Sequence, residues 1–321
     1  MTQLMDVTII IVSWNSQDLI GKCLQDLSEQ TVRPHRVIVI DNNSSDNSAE
    51  IAEKYNNVEV YRMSDNLGFS AGNNRALKLC ETEWVALLNP DAFPEPDWLE
   101  NLQKATIENP DVEVFGSRQL SHENPDIIDG IGDVYHISGV AWRKYHGSQQ
   151  QADDYISTEI FSPCAAAALY KRQALIDIDG FDEDYFCYME DVDLGFRLQL
   201  ADHKAMYVPD AIIHHVGSAT TGGKHSDFSV YYGHRNMVWT YVKDMPGILF
   251  WPLLPLHVLL NMITIFWFAL HGKTRVILRS KWDAIKGIPR MWSKRKQIQK
   301  NRKTRIADIW SVLDKSLYRG R

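Results

Sequence analysis

Two apolar segments in the first hundred residues each lead directly into an aspartate. Residues 37–40 precede Asp41, and residues 84–90 precede Asp91. A buried parallel strand that ends in an acid directs the carboxylate into the crevice at the carboxyl edge of an open α/β sheet, where ligands bind. For Asp91 this predicts a divalent cation between the carboxylate and an anionic phosphate, because hard cations prefer oxygen ligands. Asp41 fits either a nucleotide contact or an ordinary turn acid.

A second acidic feature, the pair Glu190 and Asp191, begins a predicted helix later in the chain. Acids also occur in a first helical turn for purely electrostatic reasons, and Asp193 with Arg197 has the spacing of an ordinary ion pair. The functional interpretation is a general base for a hydroxyl nucleophile. Aromatic residues at 185–188 could raise the pKa of one acid of the pair.

Two adjacent histidines, His214 and His215, end an apolar segment. Successive side chains of a strand point to opposite faces of the sheet. One histidine is therefore predicted to reach a metal or phosphate, and the other to be structural. Two histidines alone are usually not a metal site, so this prediction depends on the acids above.

The order of the segments predicts an α/β domain. Four apolar segments have the composition of buried strands, and they lie at 7–12, 37–40, 58–61 and 84–88. Three segments with helical spacing alternate with them, at 19–27, 49–55 and 70–80. This alternation predicts a parallel sheet with right-handed crossovers.

After Asp91 the pattern is less regular. Helices are predicted at 94–107 and 189–200, and strands at 112–117, 165–170, 205–208 and 211–215. Residues 118–160 have no clear assignment, and a long irregular segment inside a domain is often a binding segment. The four cysteines lack metal-ligand or redox spacing, so they are expected to be reduced.

The charge is divided unevenly along the chain. Residues 1–272 hold 18 Lys+Arg against 38 Asp+Glu, a net of −20, whereas residues 273–321 hold 16 against 3, a net of +13. The apolar segment 248–270 before this basic tail is long enough to span a bilayer, although two prolines near one end disfavour a straight span. We expect it to lie in the membrane interface or to dip in and return, with 246–305 on anionic head groups and no nucleic-acid partner. The alternative is a buried helix with a solvated tail.

Seven short motifs in order resemble those of the family 2 glycosyltransferases, particularly the rhamnosyltransferase-like branch. They are VTIIIVSWN at 7–15, VIDNNSSD at 39–46, NLGFSAGNN at 66–74, LLNPD at 87–91, GFDEDYF at 180–186, EDVDL at 190–194 with Arg197, and HVGS at 215–218. Each motif is weak alone, but the ordered set is specific and covers about 5–240.

The resemblance implies a GT-A fold, which is a Rossmann-like, mostly parallel central sheet flanked by helices. This catalytic domain would occupy 1–245, with a nucleotide-sugar-binding half at 1–117 and an acceptor-binding half at 118–245. A helical membrane-attachment segment would follow at 246–321. The implied reaction is an inverting transfer of rhamnose or a similar hexose from a dTDP- or UDP-linked donor, with Mg²⁺ or Mn²⁺. The acceptor would be a glycan or lipid-linked hydroxyl in cell-surface polysaccharide assembly, at the cytoplasmic face of the membrane.

Residue roles follow from the same resemblance. Asp191, with Glu190 beside it, would be catalytic, and Asp91 and His215 would bind the metal. The donor would be bound by residues of the first four motifs, which are Ser13, Asn15, Asp41, Asn66, Gly68, Asn74 and Asn89. Asn89 departs from the aspartate of many relatives, leaving one anionic ligand in the motif. This form is common in the rhamnosyltransferase-like branch.

Two other classes of protein remain as alternatives. A sugar nucleotidyltransferase normally has a glycine-rich loop after its first strand, but here residues 13–16 follow that strand and the first glycine is Gly21. A non-catalytic, membrane-bound scaffold that binds a nucleotide sugar is disfavoured by the presence of Asp91 and Asp191. The oligomeric state has no signal in the sequence.

Overall fold

The first half of the chain forms four parallel strands connected by helices. The computed structural model describes residues 3–217 and 226–316. The strands are β1 (Gln3–Ser13), β2 (Val32–Asp41), β3 (Val58–Arg62) and β4 (Trp84–Leu88), in the spatial order β3-β2-β1-β4. The connecting helices are α1 (Ile20–Ser28), α2 (Ser48–Ala52) and α3 (Gly68–Leu77). The predicted alternation of strands and helices is confirmed here, with small differences at the boundaries.

The second half of the chain extends the same sheet with strands of both directions. Its strands are β5 (Ala92–Pro94), β6 (Val114–Ser121), β7 (Ile128–Gly130), β8 (Asp133–Tyr135), β9 (Ala141–Arg143), β10 (Thr158–Glu159), β11 (Ala167–Lys171) and β12 (Ala205–His215). Its helices are α4 (Trp98–Glu108), α5 (Arg172–Asp177) and α6 (Glu190–Leu200).

The sheet is mixed beyond β4, so the prediction of a parallel sheet holds only for part of it. β11 lies antiparallel between β4 and β6, while β12 pairs parallel to β6. The chain from 122 to 166 contains no helical crossover of the kind that returns a parallel strand. The segments at 205–208 and 211–215 form one strand, whose pairing with β6 shifts between Val208 and Ile212. Pro209 lies within this shift and has no N–H for the ladder.

The sheet is buried on both faces. Ile9 and Ile11 of β1 pack in one apolar layer with α1 and α4, and Ile10 packs in the other with α3 and α6. Continuous β-branched runs are typical of strands covered on both sides. The unassigned segment 118–160 begins within β6 and continues past its carboxyl end, where β8 and β9 pair as a separate two-stranded sheet.

Four helices complete the described chain: α7 (Asp227–Asp244), α8 (Gly247–Leu270), α9 (Thr274–Asn301) and α10 (Ile306–Val312). A third core cluster joins them to α6, because Phe196 packs in one group with Trp239, Phe250 and Met291. These helices therefore share a core with α6.

The basic helix α9 packs against the rest of the protein. Lys294 Nζ lies 2.7 Å from an Asp184 oxygen and also contacts Asp182. Arg295 is buried and donates to the Val242 carbonyl. The expectation that the basic tail as a whole faces head groups is therefore too simple, because several of its cations are used in contacts within the protein.

Helix α8 is the helix in the described residues that is long and apolar enough to cross a membrane. Only 11% of its most apolar window is buried, so the alternative of a buried core helix does not fit. The helix continues through Pro252 and Pro255. Both prolines lie beyond the first turn, so each removes one i→i−4 backbone hydrogen bond.

Candidate active site

A cavity of about 1190 Å³ opens between the two halves of the chain. Seven predicted site residues line it, namely Asn66, Gly68, Asn89, Asp91, Glu190, Asp191 and His215. The other four, Ser13, Asn15, Asp41 and Asn74, are not part of the cavity wall. The cavity is somewhat larger than the roughly 300–1,000 Å³ typical of small-molecule and cofactor sites.

Asp91 and His215 lie together at one part of the wall. Asp91 follows the carboxyl end of β4, and His215 ends β12, which pairs with β5 at Ala92. His215 Nε2 is 3.4 Å from Asp91 Oδ1. On the opposite face of β12, His214 Nε2 instead contacts Glu95 at 3.1 Å. The two histidines thus face opposite sides, as the strand pattern predicts.

Asp129 supports His215 from behind and was not predicted from the sequence. Its Oδ2 is 2.8 Å from His215 Nδ1, and the backbone oxygen of Asp129 is 2.8 Å from His146 Nδ1. Burial acts to lower the pKa of His215, but the carboxylates of Asp129 and Asp91 outweigh it and raise that pKa. Burial acts to raise the pKa of Asp91, but the contact with His215 outweighs it and holds that pKa below its usual value.

These residues fit a divalent cation. His215 Nε2 is buried and has no hydrogen-bond partner among the described residues. A metal-binding histidine typically donates its other ring N–H to a carboxylate, which is the position of Asp129. Within 3–217 and 226–316, no group of three or more His, Cys, Asp or Glu side chains is arranged to hold a metal. Asp91 and His215 would therefore need further ligands from a bound molecule or from water.

The loop 66–68 forms another part of the wall and is held by Asn42. The Asn42 amide donates to Asn66 Oδ1 at 3.0 Å and to the Gly68 carbonyl at 3.1 Å, and it accepts from Leu67 N at 2.9 Å. Asp41 lies beside Asn42 at the end of β2. Its Oδ2 accepts from Ser44 N at 3.3 Å, and its Oδ1 is buried without a partner among the described residues.

The three remaining predicted donor residues hold loops behind the wall. Ser13 Oγ is 2.6 Å from Ser16 Oγ, and Asn15 Oδ1 accepts from Ser45 N at 2.8 Å. Asn74 bridges to the later half of the chain, since its Oδ1 accepts from Phe181 N at 2.8 Å. These contacts indicate that the three residues organise the neighbouring loops.

Gly68 brings the loop 66–68 into contact with Phe186 in the aromatic loop before α6. It has φ +82°, and a Cβ there would lie 2.5 Å from Phe186 Cδ2 and 2.6 Å from the Phe186 carbonyl oxygen. Phe69 N donates to the same carbonyl at 2.7 Å. Only glycine permits this close approach without displacing the aromatic loop.

Gly68→Ala should therefore destabilise the protein through both backbone strain and overlap. Strain at positive φ costs about 1–3 kcal/mol, and overpacking costs about 1–3 kcal/mol more. Gly147→Ala is the matched control, because Gly147 has φ +79° and open space where its Cβ would be. Urea unfolding should show a larger loss for Gly68→Ala, and equal losses would mean that the contact with Phe186 is unimportant.

Asp191 lines another part of the cavity wall, directly after a loop with strained backbone angles. Phe186, Tyr188 and Met189 have φ of 64°, 64° and 67°, a conformation that is uncommon outside glycine and that concentrates at functional sites. Asp191 Oδ1 accepts from Val192 N at 2.8 Å. Burial raises the pKa of Asp191, while the charge of Arg143 acts in the opposite direction.

Two further carboxyls lie near Asp191. Burial, followed by the charge of Asp191, raises the pKa of Glu190 and of Asp133 well above the usual values. Asp193 instead points away, because it pairs with Arg197 at 2.8 Å and with buried Lys243. The predicted ion pair between Asp193 and Arg197 is thereby confirmed.

The residues that the sequence reasoning missed belong mostly to the irregular segment 118–160. Asp129, Asp133, Arg143 and His146 all line the cavity. The only sequence signal was the length and irregularity of this segment, which did not identify individual residues. Of the last motif, Ser218 lies outside the described residues.

A solved structure with a similar fold identifies the fold class. The mannosyltransferase PcManGT from Pyrobaculum calidifontis, in complex with GDP-Man and Mn²⁺, matches with a TM-score of 0.54 at 16% identity, covering 95% of this chain and 87% of that chain. The GT-A fold is thereby confirmed, with a mixed central sheet flanked by helices and a C-terminal helical region.

The family follows from the sequence comparisons. The model of glycosyl transferase family 2 matches residues 8–179, more than half of the chain, and the chain belongs to this family. N-acetylglucosaminyl-diphospho-decaprenol L-rhamnosyltransferase of Mycobacterium tuberculosis is 27% identical over 264 residues, covering 74% of this chain and 83% of that protein. O-antigen chain rhamnosyltransferase RfbN of Salmonella typhimurium is 25% identical over 215 residues, 66% of each chain. The protein is a glycosyltransferase, and the predicted resemblance to the rhamnosyltransferase-like branch is confirmed.

Proposed function

We propose that this chain is a metal-dependent, inverting rhamnosyltransferase that uses a nucleotide-diphosphate sugar. The observation that carries the proposal is a single cavity whose wall holds Asp91 and His215 in one part and Asp191 in another. Such a site suits a reaction in which a phosphate leaves on one side of a sugar carbon and a hydroxyl attacks from the other.

Asp91 and His215 would hold Mg²⁺ or Mn²⁺ through a carboxylate oxygen and Nε2. When bound, the cation neutralises the charge that develops on the leaving diphosphate. Asp129 keeps Nε2 available by accepting a hydrogen bond from Nδ1–H of His215. The Mn²⁺ in the complex of PcManGT supports a divalent cation. Asn89 adds no charge, so donor oxygens would complete the ligand set.

Asp191 would take the proton of the acceptor hydroxyl as that oxygen attacks the sugar. The raised pKa makes its carboxylate a stronger base than an ordinary aspartate. Glu190 is buried beside it, and burial together with the charge of Asp191 raises the pKa of Glu190 well above its usual value. We assign proton transfer to Asp191 and a supporting role to Glu190.

The nucleotide would bind along the edge formed by the loop 66–68, with Asp41 near the nucleobase. Asn42 holds this loop in place, and Asn66 and Gly68 form its wall. A dTDP- or UDP-linked sugar is the expected donor. The two rhamnosyltransferases among the relatives favour rhamnose.

The acceptor would be a glycan or a lipid-linked sugar. Aromatic side chains of Trp142, Phe186, Tyr188 and Phe228 line the cavity and offer flat apolar surfaces on which a sugar ring can pack. The mycobacterial relative is named for an N-acetylglucosaminyl-diphospho-decaprenol acceptor. We propose an acceptor of this kind, a prenol-diphosphate-linked N-acetylglucosamine in cell-surface polysaccharide assembly.

Helix α8 would attach the enzyme to the cytoplasmic face of the membrane. Its exposed apolar side chains include Ile248, Trp251, Met262, Phe266 and Leu270, each at least 60% exposed. Exposed cations of α9 would face anionic head groups. We retain the division into a catalytic domain at 1–245 and an attachment segment at 246–321, with the two sharing a core.

Placing charge on α8 should release the protein from membranes. The double variant Trp251→Asp with Phe266→Asp removes two large apolar side chains that are 63% and 67% exposed, so the fold should be preserved. We expect most of the protein to stay at the bottom of a flotation gradient with vesicles that contain phosphatidylglycerol. Ile107→Asp is the control, because Ile107 is 71% exposed on α4. Flotation of the double variant at the level of the control would contradict attachment through α8.

A transfer assay tests the proposed function. The purified full chain is incubated in vesicles with dTDP-L-rhamnose, Mn²⁺ and N-acetylglucosaminyl-diphospho-prenol, and the product is analysed by mass spectrometry and by NMR of its anomeric proton. We expect a rhamnosylated product with the anomeric configuration inverted, and UDP-linked sugars provide the donor comparison. Binding of nucleotide sugars without any transfer would instead support the non-catalytic scaffold.

A further inference from the structure

Arg143 occupies a central place in the cavity wall that the functions above do not use. It ends β9, where it lies directly across the hairpin from Asp133 of β8. Cross-strand partners have neighbouring side chains on the same face of the hairpin. Both line the cavity together with Asp191. The hairpin therefore places a cationic side chain and a carboxyl side chain in the same cavity as Asp191.

The Arg143 guanidinium is fixed in place by Asp129. The two side chains form an ion pair through Nη1 and Oδ2, and the same Asp129 oxygen contacts His215 Nδ1. Gly130 allows the arginine stem to lie against the backbone, because a Cβ there would be 3.3 Å from Arg143 Cβ and Cδ. An arginine held at both stem and head is a rigid charge rather than a mobile surface cation.

The charge of Arg143 acts on a crowded set of acidic groups. The charged and titratable groups around Asp191 lie on its own helix, on the β8–β9 hairpin, in or just before β11, and in the loop before α6. They are Glu190, Asp133, Arg143, Cys164, Tyr170 and Cys187. Arg143 supplies a positive charge among them. Without it, ionising Asp191 in this buried setting would be strongly disfavoured.

We propose that Arg143 is a positioning residue of the base: anchored on Asp129, its guanidinium keeps Asp191 as the ionised carboxyl and leaves Asp133 neutral. Asp191 has a geometric advantage over Asp133 for carrying the negative charge. It accepts a hydrogen bond from Val192 N at 2.8 Å, whereas Asp133 accepts from the Ser162 hydroxyl at 3.3 Å. This inference rests on the proposed function of Asp191.

The test is the pH dependence of kcat/KM for Arg143→Gln and Arg143→Lys, at saturating Mn²⁺ and with the substrates of the transfer assay. Removing the positive charge should raise the pKa of Asp191. The acidic limb of the kcat/KM profile should therefore move to higher pH by about one unit. Arg143→Lys keeps the charge and should restore most of the wild-type profile. A purely structural role would lower the rate equally at every pH and leave the limb in place, which would overturn the inference.

A second readout is independent of transfer activity. The carboxyl carbon of Asp191 can be followed by NMR in protein labelled at aspartate, with its signal assigned by its absence in Asp191→Asn. The pH midpoint of this signal's titration should be higher in Arg143→Gln than in the wild type, and identical midpoints contradict the inference. This result stands even if the transfer assay fails, so failure of the inference and failure of the proposed function are distinguishable.

Asp133→Asn covers the case in which Arg143→Gln does not fold. Because Asp133 is neutral in the proposed state, the amide is close in shape and charge. The pH midpoint of Asp191 should then stay close to its wild-type value. A marked fall would show that Asp133, rather than Asp191, carried the negative charge, because removing that charge would ease the ionisation of Asp191.

Discussion

Asp191→Asn should lower turnover by about 10²–10⁴-fold, the usual contribution of a general base. The affinity for the nucleotide sugar should stay close to that of the wild type, because Asp191 is assigned to the acceptor hydroxyl. The raised pKa of Asp191 arises mainly from burial, and the neutral amide does not add a buried charge. Single-turnover kinetics at saturating donor measure the effect on turnover. Calorimetric titration of the donor measures the effect on its affinity.

Asp202→Asn is the matched control for this substitution. Asp202 follows the same helix at its far end, is exposed, and has φ +72°, which asparagine tolerates well. It should leave turnover unchanged. If Asp191→Asn also keeps near-normal turnover, Asp191 is not the base, and Glu190 or Asp133 becomes the candidate.

Asp91→Ala should abolish the dependence of donor binding on Mn²⁺. Loss of an outer partner of a metal site already costs about 10–100-fold in metal affinity, and Asp91 is assigned as a direct ligand. Calorimetric titration of dTDP with and without Mn²⁺ measures this linkage. In the wild type, Mn²⁺ should strengthen binding, whereas in Asp91→Ala the two titrations should coincide.

Two further variants grade the same effect. His215→Gln should lose most of the linkage, and Asp129→Asn should lose less, because Asp129 acts only through the orientation of His215. Asp111→Ala, an exposed acid between α4 and β6, should behave as the wild type. A Mn²⁺-linked affinity that survives in Asp91→Ala would place the cation elsewhere in the cavity.

The parallel half of the fold was predictable from sequence because its signals are local. Continuous β-branched runs at 7–12 and 37–40 gave β1 and β2, and helical spacing gave α1 between them. The antiparallel insertion of β11 was not predictable, because strand direction depends on which edge the chain reaches after a long excursion. The sequence around 165–170 specifies a buried strand but not its direction.

The site was predictable where a residue follows a recognisable strand or begins a helix. Asp91, His215 and Asp191 satisfy that condition, and all three line the cavity. Asp129 and Arg143 belong to short strands of three residues, which have too little periodicity to be detected. They reach the site through tertiary contacts, Asp129 with His215 and Arg143 with Asp129.

The C-terminal region shows a further limit of composition as a guide. The excess of basic residues after 272 indicated an anionic partner, but Lys294 finds its anions within the protein, at Asp182 and Asp184. Charge counting cannot distinguish a cation that faces a membrane from one that holds a helix. The exposed apolar side of α8 is the more direct indication of a membrane surface.

The most direct test of the account is a crystal structure of the protein with Mn²⁺ and dTDP, using the anomalous scattering of manganese. We expect one strong peak within coordination distance of Asp91 and His215 Nε2, with the diphosphate on it and the Asp191 carboxyl facing the same cavity. Manganese bound away from Asp91, or a diphosphate that leaves Asp191 outside the occupied space, would contradict the shared site on which the proposed reaction depends.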